Sequence, residues 1–382
     1  MWNKPMREIH FFKIIVFIFI SLLGLASMTS EAKEYDYTVE AGYPLNYPMQ
    51  YSYNNYLTDA KGNRLLNFFP AGGGATYFGS GTQATLASER NPLPHGIHVQ
   101  WFSVVENCFW EGEYVFNQNF LNNLTHYTVL DILNRSTDRF TDIFGFTVYV
   151  APGGLASVWV SGGGEKFLVA QFQAKKMVVE PQWEVFYKST QYSWYMPREE
   201  FRAFMMEGMD DYIKKSFKGK AERFNTKQTE TLTSAPWQAT MKTYPWYLTI
   251  NEPYFTLRDY VANYVNGEFI YTYFDDNQLA KYRAVPYQIS YYYQEKQNNN
   301  KLTRGMITFD ADEIMQSFKK MNLTPPLDAP INLYLDFNDK TLSAYLVKDN
   351  QKLELTKISA ERPDLYNAGV DEPWSTQVNR FK

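Results

Sequence analysis

The sequence holds one cysteine, Cys108, and four histidines in 382 residues. A lone thiol excludes an internal disulfide, so the fold must rest on its core. Cys108 lies in "ENCFWEG", among aromatic residues. That is the setting of a small buried apolar side chain, not of an activated nucleophile. The scarcity of histidine removes most zinc patterns. His10 falls in the N-terminal segment, and His95 and His98 lack a third ligand at a workable offset. In an extended segment those two point to opposite faces, so turn or edge-strand roles are expected for them. No metal site and no cofactor is expected. Also missing is an apolar run of about 20 residues, the length a membrane-spanning helix needs.

The longest apolar run, Ile14 to Ala26, is shorter than that. Lys4, Arg7 and Lys13 precede it, and Ser30 and Ala32 stand at the −3 and −1 positions of a small-residue exit. This is the pattern of a secretory signal peptide over residues 1–32, which places the mature chain in the periplasm. No cysteine follows the run, so no lipid anchor is expected. Membrane contact is limited to the N-terminal segment, should it stay uncleaved. The whole chain carries a net charge of −4, and removing residues 1–32 leaves −5. That balance excludes nucleic acid and an anionic membrane surface as partners.

Aromatic residues are plentiful at 18%, including 30 Tyr and 28 Phe, which favours strands and interfaces. Alternation predicts a hairpin over Ile97–Val105 and Phe109–Phe116, a helix capped by Asn117, and a meander through "GFTVYVAP", "LASVWVSG" and "KFLVAQFQAK". "QWEVFYKSTQYSWYMPREEF" reads as two strands leading into a helix. One face of that helix carries Phe201, Phe204, Met205, Met209, Tyr212, Ile213 and Phe217. A polar linker, Lys218 to Pro236, precedes a second strand-rich half with a turn at Asn266–Gly267. There a helix starts at Asp310, with Glu313 completing a capping box and Ile314, Phe318 and Met321 apolar.

Both halves run hairpin strands, helix, three-strand meander. Ser157, Lys166 and Ala174 align without a gap on Ser343, Lys352 and Ala360. The expected fold class is therefore α+β: two related antiparallel-sheet modules, each with a helix packed on one face. The expected division is a signal peptide at 1–32, an N-terminal module at 33–178, a strand-helix connector and linker at 179–234, a C-terminal module at 235–362 and a tail at 363–382.

No catalytic constellation emerges. Gly162–Gly164 is followed by a strand and lacks the P-loop pattern. "GSGTQA" has no helix behind it, and "WVSGGG" is not a nucleophile elbow. Glu106 and Glu111 beside Trp101 and Trp110 form the most sugar-site-like cluster, but read first as hairpin residues. The Gly153–Gly154 pair and the Gly162–Gly164 run read as turns, with room for a partner's backbone to approach.

Two segments carry a resemblance. "VQWFSVVENCFWEGEYVF" presents Trp101, Phe102, Ser103, Glu106, Phe109 and Gly112. "YVAPGGLASVWVSGGGEKFLVAQFQAK" presents Pro152, Gly153, Gly154, Val158, Trp159, Phe172, Gln173 and Ala174. Over roughly residues 60–178 the chain resembles a family of uncharacterised exported bacterial proteins, many of them lipoproteins, that share a domain of unknown function. Members look like neighbours of type VI secretion genes, and several look like immunity proteins against lipase-type effectors. The resemblance implies a periplasmic binder that occludes a protein toxin encoded nearby, and it carries no catalytic residues. The family's lipid-attachment cysteine is absent here.

The chain is thus expected to be a non-enzymatic immunity-type protein, with a glycan- or lipid-binding envelope module as the alternative. Candidate partner-binding residues are Trp110 and Glu111 in the hairpin, Trp159, Ser161 and Glu165 around the glycine-lined turn, and Tyr291 and Tyr293 in "YQISYYYQE". The loop from Pro70 to Pro94 is a further candidate for exposed contact.

Overall fold

The computed structural model describes residues 34–361 except 45–46, 69–73, 76–77, 82, 87–88, 125–128, 131–135, 138–142, 163–164, 191–194, 218–231, 252–254, 274–279, 296–301 and 339–340. The signal segment 1–32, the tail 363–382 and most of the linker therefore lie outside the described residues. Among the described residues, no helix is long and apolar enough to cross a membrane.

The first half contains β1 (Glu34–Pro44), β2 (Met49–Tyr51), β3 (Tyr56–Thr58), β4 (Arg64–Asn67), β5 (Gly74–Ala75), β6 (Gln83–Leu86), β7 (Asn91–Pro92), β8 (Gly96–Ser103) and β9 (Cys108–Val115). Helix α1 (Gln118–Leu124), β10 (Val129–Leu130), β11 (Ser136–Thr137), β12 (Ile143–Ala151), β13 (Leu155–Gly162), β14 (Glu165–Gln173) and β15 (Lys175–Lys176) follow. Helices α2 (Trp183–Lys188), α3 (Arg198–Phe217) and α4 (Ala235–Thr240) connect to the second half. That half holds β16 (Tyr244–Asn251), β17 (Phe255–Tyr264), β18 (Phe269–Tyr273), β19 (Lys281–Arg283), β20 (Pro286–Glu295), β21 (Leu302–Phe309), α5 (Ala311–Asn322), β22 (Ile331–Asn338), β23 (Thr341–Lys348), β24 (Gln351–Leu355) and β25 (Ile358–Glu361).

The α+β expectation is corrected: the protein is mostly β, with four sheets and few helices. Each module's core lies between two sheets. In the first, Val39, Phe146 and Val158 from one sheet meet Leu57, Val99 and Trp101 from the other. In the second, Tyr260, Ile289 and Ile307 meet Trp246, Leu333 and Leu346, and Ile314, Phe318 and Met321 of α5 add to that core. The sheets are not purely antiparallel either. β1 runs parallel to β12, and β16 runs parallel to β22. Period-2 alternation looks the same whichever way the neighbour runs, so the pattern alone does not separate these cases.

The strand orders of the two modules match. One sheet reads β15-β9-β8-β3-β4 in the first module and β25-β21-β20-β17-β18 in the second. The other reads β1-β12-β13-β14 and β16-β22-β23-β24. The helix between hairpin and meander begins alike in both: Asn117 Oδ1 accepts from the Phe120 N–H, and Asp310 Oδ1 from the Glu313 N–H. The Glu313 side chain does not close the box. It accepts instead from the Thr356 and Lys357 N–H groups and so pins the β24–β25 turn.

Segment 183–188 is a helix, not a strand. Trp183, Phe186 and Tyr187 fall at i, i+3 and i+4, so one helical face packs on Phe102 and Phe109. On α3, Phe201 is buried in the same cluster, whereas Phe204 is exposed.

The modules join through β14 and β18, which share one matched pair, Lys166 with Phe269. Through it, one twelve-stranded sheet runs across both modules. Two carboxylates extend the contact. Glu165 Oε1 accepts from the Tyr271 N–H at 2.7 Å, and Glu268 Oε1 accepts from the Leu168 N–H at 3.2 Å. Each stands in for a carbonyl that the opposite strand does not supply. The Trp159 Nε1–H donates to Asn266 O at 3.0 Å, and the ring packs edge-on against Phe78. Gly267 has φ +83°, and a Cβ there would lie 2.6 Å from Phe78 O, so the turn requires glycine on both counts.

Burial pushes the Glu165 carboxyl up to about 7 from an ordinary 4.5, and burial raises Glu268 in the same direction. An acid whose folded value lies above its unfolded one favours folding below pH 4.5, and that advantage is lost as pH rises to about 7. Burial pulls Lys166 down to about 8 from 10.5, with the Glu40 charge opposing. That group acts only in the more alkaline window. Wild-type stability should therefore fall between pH 4.5 and 7. Glu165→Gln, which keeps the acceptor for Tyr271, should flatten that slope and raise stability at neutral pH. Urea unfolding across the window measures it, and a Gln variant that keeps the full wild-type slope would refute the assignment.

Candidate binding face

The two motif segments meet at one corner of the first module. Glu106, in the β8–β9 turn, accepts from the Gly153 N–H at 3.0 Å and from the Trp110 Nε1–H at 3.1 Å. Gly153 and Gly154 both have φ +75°, in a three-residue connection from β12 to β13. A Cβ on Gly154 would fall 2.4 Å from the Trp110 ring, and one on Gly112 would fall 2.8 Å from Phe172. The Ala174 N–H donates to Gly154 O, and the Gln173 amide donates to Gly153 O. Both carboxylate oxygens of Glu106 are thus engaged: Oε1 ties the β8–β9 turn to the other sheet, and Oε2 fixes Trp110 within its own hairpin. Nearby Cys108 is buried, and burial pushes its thiol up to about 11, with the Glu106 charge adding to the rise. A thiol so placed is not a nucleophile at neutral pH.

The outer face of the β15-β9-β8-β3-β4 sheet is more open. At one end α2 and α3 cover Phe102 and Phe109. Arg198 fixes that cover by donating to Glu180 Oε2 at 2.6 Å and to Asn107 O at 2.6 Å, with its guanidinium 4.9 Å from the Phe102 ring centre. Beyond the helices, alternation along β8 and β9 brings Gln100 opposite Glu111 and His98 opposite Glu113. The Gln100 amide donates to Glu111 Oε1 at 3.1 Å.

His98 is held on every side. Its Nδ1 lies 2.6 Å from Asn54 O, and its Nε2 lies 3.2 Å from Glu111 Oε1. The Tyr56 ring stacks on it at 4.7 Å. Both ring nitrogens thus face oxygen atoms of the chain, which fixes the plane of the ring. Next to it the Arg64 guanidinium lies 3.9 Å from the Tyr56 ring centre and donates to Asn54 Oδ1. Glu111 and Glu113 remain 39% and 76% exposed. The result is a rigid strip of two open carboxylates, a stacked imidazole–phenol pair and a cation, suited to recognition by charge and planar contact. Among the described residues, no three His, Cys, Asp or Glu side chains form a group that could hold a metal ion.

The expected site residues scatter. Glu111 lies on this strip, whereas Trp110 points inward and stacks with Trp101. Trp159 and Glu165 are buried in the joint between modules, and Ser161 donates to Gly145 O beside it. Tyr291 is buried in β20, between β17 and β21. Tyr293 lies on the same strand, with its side chain outside the described residues. The stretch Pro70 to Pro94 supplies β5, β6 and β7, all paired with β1. His98, expected at a turn or on an edge strand, lies on β8, an interior strand between β3 and β9. The signal was there: His98, Gln100 and Phe102 alternate with Ile97, Val99 and Trp101.

These observations define a two-module, mostly β protein whose first module presents a fixed polar sheet face. Residues 26–221 match the profile of a family described as "Protein of unknown function (DUF2931)", just over half of the chain, and the chain belongs to that family. No curated protein and no solved structure matches it.

Glu106→Ala should leave the Gly153 and Trp110 donors without their acceptor and destabilise the protein by on the order of 1–3 kcal/mol. Glu106→Gln should lose less, because it can still accept from one of them. Chemical denaturation of the two variants beside wild type measures the difference, and equal losses would argue against the double acceptor role.

Proposed function

We propose that this chain is an exported, periplasmic immunity-type protein that binds a type VI secreted, lipase-like toxin and neutralises it by occlusion, without catalysis of its own. In this reading residues 1–32 direct export, and the strip around His98 is the contact surface. The observation that carries it is the pre-organisation of that strip. His98, Tyr56, Arg64 and Gln100 are already fixed by contacts within the chain. Little side-chain freedom is then lost on binding, which is where rigid surfaces gain affinity. Open carboxylates at Glu111 and Glu113 on an acidic chain would steer a partner with a basic patch around its active-site mouth. The choice of toxin class rests on the resemblance carried by the two motif segments.

The test pairs the purified protein with the product of the adjacent secreted-lipase gene. Calorimetry should show a tight complex, and co-expression in the periplasm should protect the host. Reversing both Glu111 and Glu113 to Lys should weaken binding by about 100-fold or more, through loss of charge pairing and steering. Lys320→Glu, on α5 of the other module, should not. Absence of both binding and protection would refute the function, and a tight complex untouched by the double reversal would refute the face.

A further inference from the structure

The joint between the modules has two halves, and each half has a counterpart on a strand that lies at a sheet edge among the described residues. The half contributed by the second module is the β17–β18 turn. There the Gly267 N–H donates to Tyr264 O, the Tyr264 N–H donates to Glu268 O, and Asn263 pairs with Phe269. The β3–β4 turn of the first module repeats this arrangement. The Gly62 N–H donates to Asp59 O, the Asp59 N–H donates to Asn63 O, and Thr58 pairs with Arg64. Gly62 and Gly267 share the same φ of +83°. Arg64 therefore stands where Phe269 stands. The segment Ala60–Arg64 is exposed, and among the described residues β4 pairs only with β3.

The half contributed by the first module is β14, with Lys166 placed 5.7 Å from the Trp159 ring centre. Its counterpart is β24. Lys352 lies 3.6 Å from the ring centre of Tyr345, at the same spacing along the β13–β14 and β23–β24 hairpins. Among the described residues β24 pairs only with β23. Among the described residues, one copy of each half is thus left without a partner strand.

We infer that β4 and β24 are complementary edges whose fitting partner is a second copy of this chain, joined head to tail, and that Arg64 and Lys352 hold the copies apart. In the internal joint Lys166 faces Phe269. The same register between two copies would set Lys352 directly opposite Arg64. Like charges directly opposite in a sheet oppose pairing. Each cation is also stacked on an aromatic ring of its own module, which keeps it at the edge. Cationic residues on edge strands are a known means of blocking edge-to-edge growth, and growth here would be open-ended because the contact is head to tail.

A charge-swap cycle tests this by sedimentation velocity across the micromolar range. Wild type should sediment as one chain. Arg64→Glu alone and Lys352→Glu alone each create an opposite-charge pair, and each should associate reversibly into dimers and longer species. The double variant again sets like charges opposite and should return to one chain, which separates register-specific pairing from aggregation of a damaged fold. Failure of both single variants to associate would overturn the inference. So would association that persists in the double variant, or a wild type that already forms head-to-tail species through these edges.

Discussion

The contact between β14 and β18 sets the arrangement of the whole molecule. One matched residue pair is little to carry a sheet from one module to the next. The remaining backbone donors must still be satisfied, because an unpaired buried N–H costs about as much as a lost hydrogen bond. Glu165 and Glu268 do this from opposite sides, each reaching across to the other strand's backbone. The desolvation of those carboxylates is what the contact costs. Trp159, anchored through its indole N–H, fills the space beneath the turn. The orientation of each sandwich then follows from the other.

Much of the local structure was legible. Alternation marked the β8–β9 hairpin, the glycine pair marked a connection needing positive φ, and Asp310 marked a helix start. What could not be read was set by contacts distant in sequence. Glu165 looks like an ordinary turn acid until the strand after Gly267 arrives to bury it. Tyr291 looks like an exposed aromatic until β17 and β21 flank it. The run Trp183–Lys188 satisfies a strand pattern as well as a helical one, and only the presence of Phe102 and Phe109 beneath it selects the helix. The polar strip was half legible. Glu111 stood out beside tryptophans, but its neighbour His98 is defined by Tyr56 and Asn54, more than 40 positions away.

The motif segments illustrate how a sequence signature can encode architecture. Glu106, Gly112, Gly153, Gly154 and Gln173 are fixed in identity by mutual contact: a carboxylate reading two donors, and glycines where a methyl group would collide. The family match at 26–221 takes in this corner, the polar strip and helices α2 and α3, and it stops before β16. The turn that closes over Trp159 lies beyond it. Trp159 is therefore shielded by a part of the chain that the family signature does not describe.

Cys108 gives the protein an internal clock. It is the single sulfhydryl in the sequence, buried at the start of β9 opposite Ser103. A thiol held there reacts with an alkylating reagent only during excursions that expose the start of β9. One modification event then reports one opening event, with no second thiol to confuse the signal and no engineered label to perturb the fold. The rate of that reaction ranks how often this part of the first module breathes, and a ligand seated on the neighbouring strip would slow it in proportion to how firmly it clamps the sheet.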